Sequence, residues 1–90
     1  MVLYAVPYKG KAVTQRDRLI ERIRARPPEA RFNDVRRLLE EYGWTFKRRK
    51  GSHAHFTKPG ERTQTVPLVS GRYVKRYILD EIIDRLGLDE

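Results

Sequence analysis

Three stretches of the chain repeat apolar residues at helical spacing. The first follows Thr14, a suitable helix cap, and stops before Pro27, because proline lacks the backbone N–H that a helix interior needs. The second runs from Asn33, as its cap, to Gly43, and the third covers about residues 72–87. The pattern predicts three helices with these apolar positions: Leu19, Ile20 and Ile23; Val35, Leu38, Leu39 and Tyr42; Val74, Ile78, Leu79, Ile82, Ile83 and Leu86.

Between the second and third helices, apolar and polar residues alternate instead, which is typical of strands. Three such runs lie at about residues 44–50, 52–57 and 62–69, with glycine-containing turns between them. Pro67 indicates that the third strand lies at a sheet edge or leaves the sheet there. The predicted fold class is therefore α+β, an α-β-β-β-α core with helices on one face of a three-stranded antiparallel sheet, plus an extra N-terminal helix.

Regular alternation also assigns the side chains of the sheet to two faces. Both histidines of the chain, His53 and His55, fall on the polar face about 6.8 Å apart, and Lys47 and Arg49 are expected beside them from the neighbouring strand. The expected helix-facing residues are Trp44, Phe46, Ala54, Phe56, Val66 and Leu68, and the expected polar face carries Thr45, Lys47, Arg49, His53, His55, Thr57, Thr63 and Thr65.

Charge and composition narrow the class of partner. The 90 residues carry a formal net charge of +8, and residues 1–60 hold 15 Lys and Arg against 6 Asp and Glu. A small basic domain of this kind binds nucleic acid more often than an anionic membrane or an acidic protein. The absence of cysteine excludes disulfides and thiolate zinc sites. No apolar run is long enough for a membrane span or a secretory signal, which predicts a cytoplasmic protein.

Imidazoles beside fixed cations suit the cleavage of RNA. That reaction removes a proton from a ribose 2′-OH, builds negative charge on phosphorus and delivers a proton to the departing 5′-oxygen. Histidine can carry out either proton transfer, and Lys or Arg can stabilise the charge. On composition alone, such histidines are more often ordinary surface residues, or hydrogen-bond donors that contact phosphate, than catalysts. His53 and His55 have no nearby carboxylate or cysteine, so neither a metal site nor a cofactor is predicted.

Several short motifs follow one another in a recognisable order over about residues 32–88: Asn33-Asp34-Val35, Leu38-Leu39, Gly43-Trp44, Arg49-Lys50-Gly51-Ser52-His53, Phe56 and Thr65-Val66-Pro67 before the closing helix. In this order they resemble the HicA-like mRNA interferase toxins. The resemblance implies a double-stranded-RNA-binding-domain-like fold, an endoribonuclease that cleaves mRNA, and neutralisation by an acidic HicB-like antitoxin.

The resemblance places the catalytic role on His53, in Gly51-Ser52-His53, and the spacing makes His55 a second acid/base candidate. It also divides the chain into residues 1–31, an N-terminal arm with the extra basic helix, and residues 32–90, the family domain. The first part could contact RNA, mediate oligomer contacts or cover the apolar end of the domain. A non-catalytic RNA-binding module and a partner-binding protein remain alternatives. The phosphate-binding candidates are Lys47, Arg48, Arg49, Lys50 and Ser52.

Overall fold

The computed structural model describes residues 13–89, so the predicted N-terminal arm at residues 1–12 lies outside it. Within this range the chain forms three helices and five strands, and the predicted α+β class is confirmed. In chain order the elements are α1 (Gln15–Arg24), β1 (Glu29–Arg31), α2 (Phe32–Glu41), β2 (Thr45–Lys50), β3 (His53–Thr57), β4 (Gln64–Pro67), β5 (Tyr73–Lys75) and α3 (Arg76–Leu86).

The predicted meander is confirmed as a three-stranded antiparallel sheet with the order β2-β3-β4. β4 is an edge strand that ends at Pro67, as the proline indicated. One face of the sheet packs on the helices, where the ring of Phe56 lies 5.4 Å from that of Phe46 and 6.1 Å from that of Phe32. The buried core includes Val35, Leu38, Leu39, Trp44, Ala54, Phe56, Val66, Leu68, Ile78, Leu79, Ile82 and Ile83.

Helix α1 forms where the sequence predicts it. The Thr14 hydroxyl accepts a hydrogen bond from the Asp17 N–H at 3.0 Å, and the Asp17 carboxylate accepts one from the Thr14 N–H at 3.1 Å, which together form a capping box. Leu19 and Ile23 are buried in the same core as α2 and α3. Helix α1 therefore packs on the helices that follow it, while the division of the chain at residue 31 stays a prediction.

A small second sheet was not predicted. β1 and β5 pair antiparallel, with Ala30 opposite Val74, so the third helix begins at Arg76 and not at about residue 72. The prediction that Asn33 caps the second helix is also wrong, because α2 begins at Phe32 directly after β1. The Phe32 N–H instead donates to the Arg72 carbonyl at 2.7 Å. This pairing ties the start of α2 to the segment that enters β5.

Candidate nucleic-acid interface

A β-bulge in β2 decides which cations lie beside the histidines. Phe46 pairs with Phe56, but the next pair is Arg48 with His55, so Lys47 has no Cα partner on β3. The extra residue shifts the phase of the strand by one position. Beyond it, Lys50 lies opposite His53, and Arg49 lies opposite the buried Ala54.

The regular alternation expected of β2 is therefore wrong after Phe46. Residues directly opposite one another share a face of the sheet, so Arg48 and Lys50 flank the histidines. Arg49 lies on the helix side and is not their neighbour on the open face. We name the open side of the sheet the histidine face; its residues are Arg48, Lys50, His53, His55 and Thr65.

Each imidazole is held by a hydroxyl group. The Ser52 Oγ lies 3.4 Å from His53 Nδ1, and the Thr65 Oγ1 lies 3.3 Å from His55 Nδ1. Neither Nε2 has a hydrogen-bond partner among residues 13–89. His53 is exposed and His55 is half-buried. Both rings thus keep Nε2 available for proton transfer or for a phosphate oxygen.

The Thr65 contact could not be assigned from the sequence. Thr65 was expected on the polar face, and its pairing with His55 confirms that placement. Its role as the hydroxyl partner of His55 depends on the register between β3 and β4, for which no local motif exists. Ser52, in contrast, is next to His53 in the chain and is already one of the phosphate-binding candidates from the sequence.

The cations of β2 are available to an anionic partner. Lys47, Arg48, Arg49 and Lys50 are all exposed, and none of them forms an ion pair with an acidic residue of the described chain. Their charge is therefore directed to solvent and can attract a phosphate backbone.

The arginines of the first helix are arranged differently. Five arginines lie in α1 or just after it, at positions 16, 18, 22, 24 and 26. Four of them form ion pairs with acidic side chains of the protein itself. Arg26, just after α1, donates to Asp80 at 2.8 Å and to Asp89 at 3.0 Å. Hydrogen bonds with Asp89 and then with Asp80 raise the pKa of its guanidinium. The other pairs are Arg16 with Glu41, Arg22 with Asp34 and Arg24 with Glu21.

The described part of the chain shows neither a metal-binding cluster nor a membrane-spanning helix. Residues 13–89 contain no group of three or more His, Asp or Glu side chains placed to hold a metal ion. Over the same range, every helix is too short or too polar to cross a bilayer.

The fold and the histidine face together define a small basic α+β domain of the double-stranded-RNA-binding-domain type, with two histidines among cations on its open sheet. The chain belongs to the HicA toxin family of bacterial toxin–antitoxin systems, whose family model matches residues 32–88. This confirms the predicted family and makes the protein a toxin of that type, a class that is paired with a HicB antitoxin. Comparison with curated proteins and with solved structures gave no match.

The match begins at the first residue of α2 and ends two residues after α3. It therefore covers the whole three-stranded sheet and the histidine face. Helix α1 and strand β1 lie outside the matched residues, although α1 shares the core and β1 pairs with β5.

Proposed function

We propose that the protein is a toxin-type endoribonuclease that cleaves mRNA by metal-independent acid/base catalysis and that an acidic HicB-like antitoxin neutralises it. The observation that carries this proposal is the register of the sheet. It places His53 opposite Lys50 and His55 opposite Arg48, on a face where no Cα partner of either histidine is acidic. Membership of the HicA family supports the same conclusion.

The reaction needs two proton transfers on opposite sides of one phosphorus atom. One imidazole Nε2 takes the proton from a ribose 2′-OH, and the 2′-oxygen then forms a bond to phosphorus. The bond from phosphorus to the 5′-oxygen breaks as the other imidazolium gives that oxygen a proton. The products are a 2′,3′-cyclic phosphate and a 5′-hydroxyl, and no co-reactant is needed.

The strand geometry suits this division of labour. His53 and His55 are two residues apart on β3, which separates their Cα atoms by about 6.8 Å. Two imidazoles at that spacing can approach the attacking and leaving oxygens of one phosphodiester. Lys50 and Arg48, opposite them, can stabilise the charge that builds on the non-bridging oxygens. The resemblance assigns the catalytic role to His53, and the spacing on β3 makes His55 the candidate for the second group.

The same cations suit an acidic inhibitor. A partner that lays carboxylates across Arg48 and Lys50 would compete with the RNA backbone for the same charges and would cover both imidazoles. Neutralisation by the antitoxin would then be a matter of occlusion and would need no change in the toxin fold.

The test is cleavage of end-labelled RNA by the purified protein in EDTA. The wild-type protein should release fragments with cyclic phosphate ends, and His53→Ala should lower the rate by about 10²–10⁴-fold, the usual contribution of a positioned acid or base. The cleavage rate of His55→Ala shows whether His55 acts as the second acid/base group. Thr57→Ala, the next same-side residue of β3, is the matched control and should cleave like the wild type. Cleavage by His53→Ala at the wild-type rate would refute the assignment.

One outcome would favour the alternative. If the wild-type protein shifts the RNA in a gel, with salt-dependent affinity but without any product, the chain is a non-catalytic RNA-binding module of the same fold.

A further inference from the structure

A second basic site lies on the other side of β2 from the histidine face. A cavity of about 460 Å³ opens between the start of α2 and the segment before β5. Three arginines from separate parts of the chain line it, together with a glycine and two aromatic residues. These residues are Arg31, Arg49, Arg72, Gly71, Phe32 and Tyr73.

The backbone fixes where these arginines stand. Arg31 is the last residue of β1 and pairs with Tyr73, and the Arg72 carbonyl accepts the hydrogen bond from Phe32. Arg49 reaches the cavity because the bulge turns it away from the histidine face, and its Nε donates to the Gly51 carbonyl at 3.3 Å. The site therefore depends on both sheets.

Gly71 allows the close approach of Arg49. Its φ is +69°, and a Cβ built at this position would lie 2.7 Å from Arg49 Nη2. Any larger residue would strain the backbone and push the guanidinium out of its place. The glycine thus serves the position of the arginine as well as the turn.

Within residues 13–89, the three guanidinium groups have no acidic partner. None of them forms an ion pair within residues 13–89, and no acidic residue of that range lines the cavity. Elsewhere the protein pairs its arginines readily, as with Arg26 and Arg85. Three like charges that line one cavity without an acidic partner repel one another, so an anion in the cavity would relieve that repulsion.

The chemistry of the lining selects the kind of anion. Guanidinium groups bind phosphate oxygens in a planar, often bidentate geometry. Tyr73 supplies aromatic surface of the kind on which nucleobases stack, and the volume is in the range of small-molecule pockets.

We propose that this cavity binds a phosphate group of the RNA at a point separate from the phosphodiester that is cleaved. The site would hold the strand as it passes over the edge of β2 and so set which phosphodiester reaches His53. The choice of RNA as the ligand rests on the proposed function, whereas the affinity of the cavity for phosphate does not.

The test measures binding without cleavage. In a His53→Ala background, Arg72→Gln and Arg31→Gln are compared with Arg37→Gln, which removes the same charge from an exposed position on α2 outside the cavity. Fluorescence anisotropy with labelled single-stranded RNA gives the affinity over a range of salt concentrations. Each cavity variant should weaken binding about tenfold, which is near the lower end of the range expected for the loss of one hydrogen bond to a charged group. The slope of the logarithm of the binding constant against the logarithm of the salt concentration should become shallower by about 0.7 for each phosphate that the variant no longer neutralises.

Two RNA probes separate the possible sources of the phosphate. With a 5′-hydroxyl RNA and a 5′-phosphate RNA of the same sequence, equal decreases in affinity identify an internal phosphate, and a decrease confined to the second probe identifies the terminal one. Either result supports the site. Cavity variants that bind both probes like Arg37→Gln would overturn the proposal, as would weaker antitoxin binding with RNA binding unchanged.

A further measurement keeps this proposal distinct from the proposed function. Titration of the wild-type protein with inorganic pyrophosphate should shift the backbone amide signals of Gly71, Arg72 and Phe32 in a heteronuclear NMR spectrum. Such shifts in a protein that cleaves no RNA would leave the phosphate site standing while the nuclease assignment fails. An absence of shifts at these amides, with cleavage intact, would remove the site alone.

Discussion

Lys50 and Lys47 offer a direct test of the β2 register, because the two residues have the same charge and lie on the same exposed strand. Lys50 is opposite His53, whereas Lys47 is the bulged residue without a Cα partner. We expect Lys50→Gln to lower the cleavage rate far more than Lys47→Gln. Regular alternation would predict the reverse, with Lys47 on the histidine face.

The magnitude follows from distance. Because Lys50 is directly opposite His53, its flexible side chain can bring the ammonium to about 5 Å from a phosphate held at His53, and two unit charges at that separation interact by about 0.8 kcal/mol in water and about 3 kcal/mol at an effective dielectric constant of 20. A middle value of about 1.4 kcal/mol corresponds to a tenfold change in rate. Lys47 is three residues from Lys50 along β2, which is about 10 Å. This distance equals the Debye length at 0.1 M salt, so the charge of Lys47 is largely screened from a phosphate beside Lys50. Its replacement should slow cleavage by less than about threefold.

The assay is single-turnover cleavage of a fluorogenic RNA in EDTA at 0.1 M salt, repeated at 1 M salt. At the higher concentration the Debye length falls to about 3 Å, so the difference between the two variants should shrink. Circular dichroism melts confirm that both variants fold. An equal or larger decrease in rate for Lys47→Gln would refute the placement of Lys50 beside the reacting phosphate.

Three further predictions concern the stability of the fold, each measured by urea unfolding. Thr14→Ala removes one half of the capping box and should lower the free energy of unfolding by about 1 kcal/mol in a single transition, while a separate early transition would show that α1 unfolds alone. Phe56→Ala, at a fully buried ring, should cost about 3–5 kcal/mol, and a decrease below about 1 kcal/mol would contradict its place in the core. Arg85→Lys should lower the free energy of unfolding by about 2 kcal/mol. The Arg85 guanidinium donates to the Gln64 side chain and to the Arg62 carbonyl while it lies over the Trp44 ring, and a lysine cannot make all three contacts at once. Wild-type stability of this variant would contradict the prediction.

The parts of the fold that the sequence predicts well are those with local signals. The cap at Thr14, the stop before Pro27 and the end of the third helix at the left-handed residue Gly87 each depend on signals within one helical turn. The burial of Trp44 and Leu68 follows from alternation close to well-marked turns. For these elements, short-range chemistry and tertiary packing agree.

The parts that the sequence does not predict depend on distant pairings. β1 and β5 are three residues each and pair across more than forty residues, so neither has a pattern of its own. Helical spacing makes Val74 the first apolar position of α3, because it lies four residues before Ile78, but Val74 is the centre of β5. The spacing therefore predicts its burial correctly and its backbone conformation wrongly.

The bulge at Lys47 is hidden for a different reason. Phase along a strand is visible only where apolar and polar residues alternate, and the run from Lys47 to Lys50 consists of four cations in succession. A slip of one residue within such a run leaves no trace in the pattern. The sequence therefore predicts cations beside the histidines correctly but puts Lys47 and Arg49 in the places of Arg48 and Lys50.

The distribution of charge bears on how an acidic partner could inhibit the protein. The chain has a net charge of +8, but little of the positive charge near α1 is available to a partner, because most arginines there already pair with acidic residues of the chain. Within residues 13–89, several cations without an ion pair lie on both sides of β2, which is an edge strand. An antitoxin that covered the histidine face alone would stop cleavage and still leave the arginine cavity open to RNA. Under both proposals, inhibition of cleavage and release of RNA are therefore separable, and only a partner that extends around the edge of β2 would achieve both.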